Sequence, residues 1–186
     1  MKAAPVRGIH AQRSVARNAV RIVRVRLDEL ASFDPAVRDP AAVTELHDMR
    51  IAAKRLRYVL EICGHCFGKA GKRAEDEAKW LQEVLGEIHD CDVLVPRVRE
   101  AIEEREHAAG TRLAGLAKGD PDLLPALVRD APHADEMRGL ATLAAALEAR
   151  RRLLYQTFLD RWDTLLAEGF RDRLEDALAE AEAVSP

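Results

Sequence analysis

Four basic side chains follow one face of a predicted helix in the stretch LHDMRIAAKRLR. His47, Arg50, Lys54 and Arg57 occupy positions i, i+3, i+7 and i+10, which an α-helix of about 3.6 residues per turn lines up. Cations on neighbouring turns repel each other by roughly a few tenths of a kcal/mol per pair. A bound anion would offset this repulsion, because its negative groups would stand opposite the cations. The row is therefore a candidate binding site for an extended polyanion.

A second basic row, Arg13, Arg17, Arg21 and Arg24, lies on a helix predicted from residue 9 to about residue 32. The apolar residues of this segment also recur with helical spacing, at Ala16, Ala19, Val20, Val23, Leu27 and Leu30. Projection at about 100° per residue centres the arginines roughly 100° from that apolar stripe, at the edge of the core. We therefore expect both rows to border a cleft between helices. The competing interpretation is that each row is solvated or paired with Glu residues of a neighbouring helix.

The charge of the chain is unevenly distributed. Residues 1–73 hold 15 Lys and Arg against 7 Asp and Glu, whereas residues 74–186 hold 14 against 25. A basic segment on an acidic body indicates an anion-binding face. Nucleic acid fits this face less well than a polyanion without bases, because only Tyr58 lies near the rows to stack on a base and no exposed recognition helix is evident. A general polyanion-binding or nucleic-acid-binding protein is the alternative.

The composition predicts an all-α protein. Aromatic content of 4%, with abundant Ala, Leu, Arg and Glu, favours helices over sheets. Periodicity and capping signals predict six helices, at about 9–32, 40–63, 72–89, 93–107, 135–168 and 170–183, and a short seventh near 123–128. We expect one domain over residues 1–186, basic over residues 1–73 and acidic over residues 74–186, with a loose connection at about 108–132. No membrane span or secretory signal is evident, so a cytoplasmic protein is expected.

Two longer motifs carry a family resemblance. LHDMRIAAKRLRYVLE, followed by WLQEVLGEIHDCDVL, resembles the conserved-histidine α-helical domain, or CHAD domain, in order and spacing. The segment FLDRWDTLLAEGF extends the resemblance over most of the chain. The resemblance implies a helical bundle with a basic central cleft or channel that binds inorganic polyphosphate. It also implies a CYTH-type triphosphatase or polyphosphate granule proteins as partners.

Carried over to this sequence, the resemblance assigns roles to particular residues. His47 is the signature histidine, and the helix around it supplies Arg50, Lys54, Arg55 and Arg57. The first helix supplies the facing wall, with Arg17, Arg21 and Arg24. Two acidic residues match a turn of the family and are expected to cap a helix and orient arginines, namely Asp90 and Asp92.

Only one copy of the signature is evident, whereas members of the family commonly have two similar halves. The second half offers four counterparts, Arg150, Arg151, Arg152 and Arg161. Of these, Arg151 falls beside the apolar face of the segment 135–168, where a cation needs a partner or a wet cavity. We include Arg151 in the expected polyphosphate site. Either the channel is shallower than in other members or a homodimer completes it.

The cysteines offer a rival interpretation. Cys63 and Cys66 form a CxxC that His89 and Cys91 could complete as a zinc site. We expect instead reduced, partly buried thiols, and neither a metal nor a cofactor. No phosphate-binding loop, nucleophile elbow or HExxH motif occurs, so the sequence predicts a binding module rather than an enzyme. An accessory or regulatory subunit of a polyphosphate-processing or triphosphate-processing enzyme is the alternative.

Overall fold

The fold is built from α-helices. A computed structural model describes residues 2–119 and 134–184, and no strand occurs within these two ranges. The α-helices are α1 (Val15–Ala31), α2 (Val43–Cys63), α3 (Gly68–Ala117), α4 (Ala134–Ala167) and α5 (Phe170–Val184). Two short 3-10 helices, Ala36–Arg38 and Gly64–Phe67, precede α2 and α3. The all-α prediction is confirmed, whereas the predicted count of six to seven helices is not supported by the described residues.

The helix count differs because the segments predicted at 72–89 and 93–107 are one continuous helix. The stretch LGEIHDCDVL does not break α3, and Pro96 lies inside it. A proline removes one hydrogen bond of the helical ladder, but the buried positions run on with helical spacing through the expected break, at Leu81, Leu85, Ile88 and Cys91. The helix also continues through residues 108–117, where a loose connection was expected. The short helix predicted near 123–128 lies outside the described residues.

The contacts divide the chain into two units, Met1–His89 with Leu153–Pro186, and Asp90–Arg152. In the first unit, each helix contributes one apolar face to a common core. The largest fully buried side chains there are Leu27, Leu30, Leu46, Met49, Leu56, Leu60, Leu81, Leu85, Ile88, Phe158, Trp162 and Leu165. Burying one such side chain contributes about 1.5–3 kcal/mol. The apolar face predicted for α1 is thus largely confirmed, although Ala16 is only partly buried. Helix α2 buries a face with the same helical spacing, at Leu46, Met49, Ala53, Leu56 and Leu60.

Helix α1 begins later than predicted. The Ser14 hydroxyl accepts a hydrogen bond from the Arg17 amide at 3.3 Å, and this cap starts the helix at Val15 rather than near residue 9. Arg13 therefore precedes the helix, and its guanidinium donates to the Gly8 carbonyl at 3.3 Å. Gly8 has φ of +75°, which glycine adopts without strain.

The turn between α2 and α3 depends on two glycines. Gly68 has φ of +55°, a left-handed conformation that lets the chain reverse. Gly71, inside α3, packs against the Gly64 carbonyl so closely that a β-carbon would collide with it. The first turns of α3 consequently run back alongside α2, which brings the basic row of α2 next to residues 82–89.

The loop before α2 is anchored to α4. The Tyr155 hydroxyl donates to the Val37 carbonyl at 2.9 Å, and the Trp162 indole donates to an Asp34 carboxylate oxygen at 2.7 Å. In the same loop, the Asp39 carboxylate accepts a hydrogen bond from the Ala41 amide at 2.8 Å. These contacts fix the start of α2 and hence the register of its basic row.

The second unit consists of the later turns of α3 and the earlier turns of α4. Ion pairs join the two antiparallel helices, at Arg99 with Glu148 (2.7 Å) and at Arg105 with Glu136 (2.5 Å). Within the described residues, no helix of either unit is long and apolar enough to cross a membrane.

Candidate anion-binding site

In the first unit, the basic row on α2 faces a strip of α3 without acidic residues. His47 lies against His89, the Arg50 side chain passes beside Gly86, and Arg57 reaches Gln82. The three α3 positions, 82, 86 and 89, lie on one face of that helix because they are four and three residues apart. We call the four α2 side chains His47, Arg50, Lys54 and Arg57 the α2 basic row. Its members are half-buried, and His47, Arg50 and Arg57 contact α3.

The two histidines form a close pair. The Nδ1 atoms of His47 and His89 are 3.3 Å apart, and the ring centroids are 4.4 Å apart at an interplanar angle of 47°. A hydrogen bond between two Nδ1 atoms requires one donor and one acceptor, so it breaks when both rings are protonated. Burial lowers the pKa of His47, and the charges of His89 and Arg50 lower it further, against a smaller opposing effect of Asp48. The free protein therefore favours the neutral form of His47.

Two arginines of the α2 basic row have donor atoms without acceptors. The Nε atoms of Arg50 and Arg57 are buried and find no hydrogen-bond acceptor among the described residues. A terminal nitrogen of Arg57 donates weakly to Gln82 at 3.4 Å, and another approaches a carboxylate oxygen of Glu61 at 3.2 Å. Leaving a buried donor unpaired costs about 1–3 kcal/mol. The Nε donors of both arginines thus lack an acceptor in the described stretches of the chain, whereas the terminal nitrogens of Arg57 have Gln82 and Glu61 as partners.

Tyr58 lies between the last two cations of the row. The Lys54 ammonium is 5.6 Å from the centre of the Tyr58 ring, and the Arg57 guanidinium carbon is 4.9 Å from it. Both distances are within the range of a cation–π interaction. The ring, 45% exposed, thus holds Lys54 and Arg57 in place at the open edge of the row.

The row on α1 is arranged differently, because α5 supplies carboxylates to some of it. Arg24 binds Glu175 at 2.9 Å and Glu182 at 2.8 Å. The hydrogen bond from Arg24 lowers the pKa of Glu182, and the charges of Arg21 and Arg17 act in the same direction. No hydrogen bond or ion pair engages the Arg17 or Arg21 guanidinium within the described ranges. The α1 row is therefore neutralised at Arg24 and open at its first two helical arginines.

Two other expected contact residues are ion-paired. The Arg55 guanidinium lies 3.7 Å from a carboxylate oxygen of Glu29 in α1, a buried side chain that also pairs with Arg26. In the second unit, Arg151 binds Asp92 at 2.5 Å, and both side chains are largely buried. Asp92 thus orients an arginine, as expected, but it caps no helix because α3 runs through it.

A basic central cleft is not supported. Two cavities of about 180 Å³ and 540 Å³ lie against the first turns of α3 and against α5. None of the ten residues predicted to bind polyphosphate lines either cavity. The physical reason is local: α5 carboxylates engage Arg24, Glu29 engages Arg55, and α3 packs along the α2 basic row. That row lies in a shallow strip along the two helices.

The three cysteines are free thiols. Cys63 and Cys66 are partly buried and Cys91 is buried, and burial raises the pKa of Cys63 and of Cys91. The Cys66 sulfur is 3.5 Å from the His65 ring. Among the described residues, no three or more His, Cys, Asp or Glu side chains are grouped as metal ligands would be.

Sequence reasoning missed the α3 side of the site. The sequence pattern suggests His89 only as a possible zinc ligand and predicts no role for Gln82. The signal was present, because Gln82 and His89 are seven residues apart on one helical face. What the sequence lacked was the antiparallel register that sets this face against α2.

Comparison with known proteins adds a family. The sequence model of the CHAD domain matches residues 21–186, nearly the whole chain. Neither the curated proteins nor the solved structures show a significant match. Since the family match covers almost all of both units, this chain belongs to the CHAD domain family.

Proposed function

From this family membership we propose that the protein binds inorganic polyphosphate along the α2 basic row. The observation that carries the proposal is the pair of buried Nε donors, on Arg50 and Arg57, that lack acceptors within the described residues. Phosphate oxygens are suitable acceptors, because a guanidinium offers them two parallel hydrogen bonds. His47 and Lys54 add one donor group each on the same face.

The geometry of a helix suits a linear phosphate chain. Successive turns are about 5.4 Å apart, so the row presents a cation every turn or less to an anion whose charges repeat every few ångströms. Such matching needs no base recognition. Inorganic polyphosphate is therefore favoured over nucleic acid, since Tyr58 is held by Lys54 and Arg57 rather than standing free as a stacking platform.

The α1 row contributes at its open end in this proposal. Arg17 and Arg21 engage no described partner, so they are available to a phosphate chain that extends beyond α2. Arg24, Arg55 and Arg151 are paired with carboxylates of other helices or of the buried Glu29, which polyphosphate would have to displace. The Arg57–Glu61 pair lies within one helix and Glu61 is 42% exposed, so polyphosphate displaces it more easily. We therefore assign Arg24, Arg55 and Arg151 a structural role, and place the main binding energy on the α2 basic row.

The proposed role is binding without turnover. Every group of the α2 basic row acts as a hydrogen-bond donor or a fixed charge, and such groups hold phosphate without changing it. The proposal includes a cytoplasmic location and a polyphosphate-processing enzyme, such as a CYTH-type triphosphatase, as a partner. Incubation with polyphosphate should release no inorganic phosphate above the level without protein.

A titration tests the proposal. Long-chain polyphosphate and single-stranded DNA of equal charge are each titrated against the protein at several salt concentrations. We expect polyphosphate to bind more tightly at every salt concentration, with affinity that falls as salt rises because counterions are released. Equal affinity for DNA would contradict the assignment to polyphosphate and favour a general polyanion-binding protein.

A further inference from the structure

A second cationic site lies in the first unit, away from the α2 basic row. A cavity of about 180 Å³ lies between the start of α3 and the start of α5. Its floor includes Phe170 and Leu174, which are 6% and 1% exposed. Three cations line it, namely Lys69, Arg73 and Arg173, and no carboxylate does. The cavity is thus apolar at its base and positive at its rim.

Two of the three rim cations, Lys69 and Arg73, are exposed and not neutralised by any described residue. Other arginines of the first unit have carboxylate partners, as Arg161 has in Glu77 and Arg171 has in Asp28. No ion pair or hydrogen bond engages Lys69 or Arg73 within the described residues. One helical turn separates these two side chains, so they face the cavity together.

The third cation is held in place by its own helix junction. The Arg173 guanidinium donates to the Glu168 carbonyl and lies 3.4 Å from a Glu168 carboxylate oxygen. This contact spans Gly169, whose φ of +66° turns the chain from α4 into α5. The rim therefore combines one positioned guanidinium with two cations that lack a counter-ion among the described residues.

The floor separates this site from a polyphosphate site. The floor surface that a ligand can still cover is small, because Phe170 and Leu174 are almost fully buried. An organic ring contacts that surface and the apolar stems of Lys69 and Arg73, whereas a phosphate chain has no apolar surface to do so. A cavity of about 150 Å³ with apolar lining accommodates benzene, so about 180 Å³ is large enough for one ring. The rim then pairs with an acidic substituent on that ring.

We propose that this cavity binds a small organic anion that carries a single aromatic ring and one phosphate or carboxylate group. The ring contacts Phe170 and Leu174, and the acidic group contacts Lys69 and Arg73. Because the site shares no residue with the α2 basic row, its occupancy is independent of polyphosphate binding at Arg50 and Arg57.

Calorimetric titration with three probes tests this site. Phenyl phosphate carries both the ring and the anion, inorganic phosphate carries only the anion, and benzyl alcohol carries only the ring. We expect phenyl phosphate to bind at least about ten-fold more tightly than either of the other two, because only it satisfies the floor and the rim together. Equal affinity for phenyl phosphate and inorganic phosphate would overturn the proposal.

Variants locate the binding. Lys69→Gln with Arg73→Gln should weaken phenyl phosphate about ten-fold or more, and Ala70→Leu should weaken it by filling the cavity that Ala70 lines. The matched control is Lys72→Gln, whose ammonium pairs with Glu75 and Asp76 outside the cavity. Unchanged affinity in both cavity variants, with circular dichroism showing the parent's helix content, would refute the location.

A reciprocal measurement separates this site from the proposed function. Arg50→Gln with Arg57→Gln should weaken polyphosphate and leave phenyl phosphate unchanged, whereas the Lys69 and Arg73 variant should show the reverse. Loss of phenyl phosphate binding in the Arg50 and Arg57 variant would show a single anion site and would overturn the second one. If the parent protein does not bind polyphosphate, the proposed function is wrong, but the phenyl phosphate titrations still test this cavity independently.

Discussion

Replacing Arg50 and Arg57 together by Gln tests the α2 basic row directly. A hydrogen bond to a charged group contributes about 1.5–3 kcal/mol, so two lost guanidiniums correspond to about 3–6 kcal/mol. The lower end applies here, because Arg57 has to give up its contact with Glu61 at 3.2 Å to bind phosphate. We therefore expect polyphosphate affinity to fall about 100-fold. The fold should persist, because Gln retains the first methylenes that pack on α3.

The salt dependence gives a second number from the same variant. For single strands, each phosphate contact contributes about 0.7 to the slope of log K against log salt. Removing two contacts should reduce the magnitude of the slope by about 1.4. Fluorescence anisotropy with end-labelled polyphosphate at four or five salt concentrations measures both the affinity and the slope.

The matched control removes two other positive charges from the first unit. Arg38→Gln and Arg171→Gln change the net charge equally, but these arginines are exposed and paired with Asp34, Asp163 and Asp28. The control should keep most of the affinity and the slope. If it loses as much as the Arg50 and Arg57 variant, net charge rather than the row governs binding, and the site assignment is refuted.

Thermal midpoints equal to or above that of the parent are expected for Arg50→Gln alone, since it removes a buried donor without an acceptor among the described residues.

Three further outcomes follow from the described contacts. Burial, reinforced by neighbouring positive charge, lowers the pKa of His47. The stability that His47 contributes is therefore full above about pH 6.5 and is lost as pH falls through the lowered pKa. A bound polyanion favours the imidazolium, so polyphosphate affinity should fall as pH rises through the same interval. His47→Gln should flatten the pH dependence of both stability and polyphosphate affinity. Identical pH slopes in the variant and the parent would contradict this. Tyr155→Phe should lower the free energy of unfolding by about 1–3 kcal/mol in chemical denaturation, because the buried Val37 carbonyl loses its donor; an unchanged midpoint would mean that water replaces the hydroxyl. Native mass spectrometry should find no stoichiometric zinc, and one zinc per chain that is lost on Cys63→Ser or Cys91→Ser would restore the metal interpretation.

The buried faces of the helices could be predicted from the sequence because they depend on local spacing. Val23, Leu27 and Leu30 in α1, and Leu56 and Leu60 in α2, are buried as their periodicity predicts. The helix boundaries were harder to predict. Around LGEIHDCDVL the local breaking signals are weaker than the buried face that runs to Cys91, whereas at the start of α1 the Ser14 cap sets the boundary.

The partners of the cations could not be predicted, because they come from distant regions of the chain. Arg24 binds Glu175, 151 residues away, and Arg161 binds Glu77, 84 residues away. A sequence with 32 Asp and Glu residues offers each arginine many equivalent candidates. Only the packing of α5 on α1 decides that Arg24 is neutralised while Arg17 and Arg21 have no partner among the described residues.

The choice of residues on α3 separates a binding site from an ordinary paired surface. The positions that face the α2 basic row are Gln82, Gly86 and His89, all without negative charge. Helix α3 has Glu at the very next positions, 83 and 87, both exposed. If these carboxylates stood at positions 82 and 86 instead, they would lie beside Arg57 and Arg50, and no external anion would be needed to offset the row.

Gln82→Glu performs that change at one position with almost no change in shape. Its carboxylate would lie near the Arg57 nitrogen that now approaches Gln82 at 3.4 Å, so the ion pair should raise the thermal midpoint slightly. The same carboxylate competes with phosphate for Arg57 and repels it, so polyphosphate affinity should fall about ten-fold. Gln156→Glu, on the exposed face of α4, makes the same charge change away from the row and is the control for binding. It also loses the hydrogen bond that Gln156 donates to Asp160 at 2.8 Å, so its thermal midpoint should fall rather than rise. If the row is kept free for an external anion, Gln82→Glu alone should raise stability while it weakens binding. A Gln82→Glu variant that binds polyphosphate as the parent does would show that Arg57 is not involved in the site.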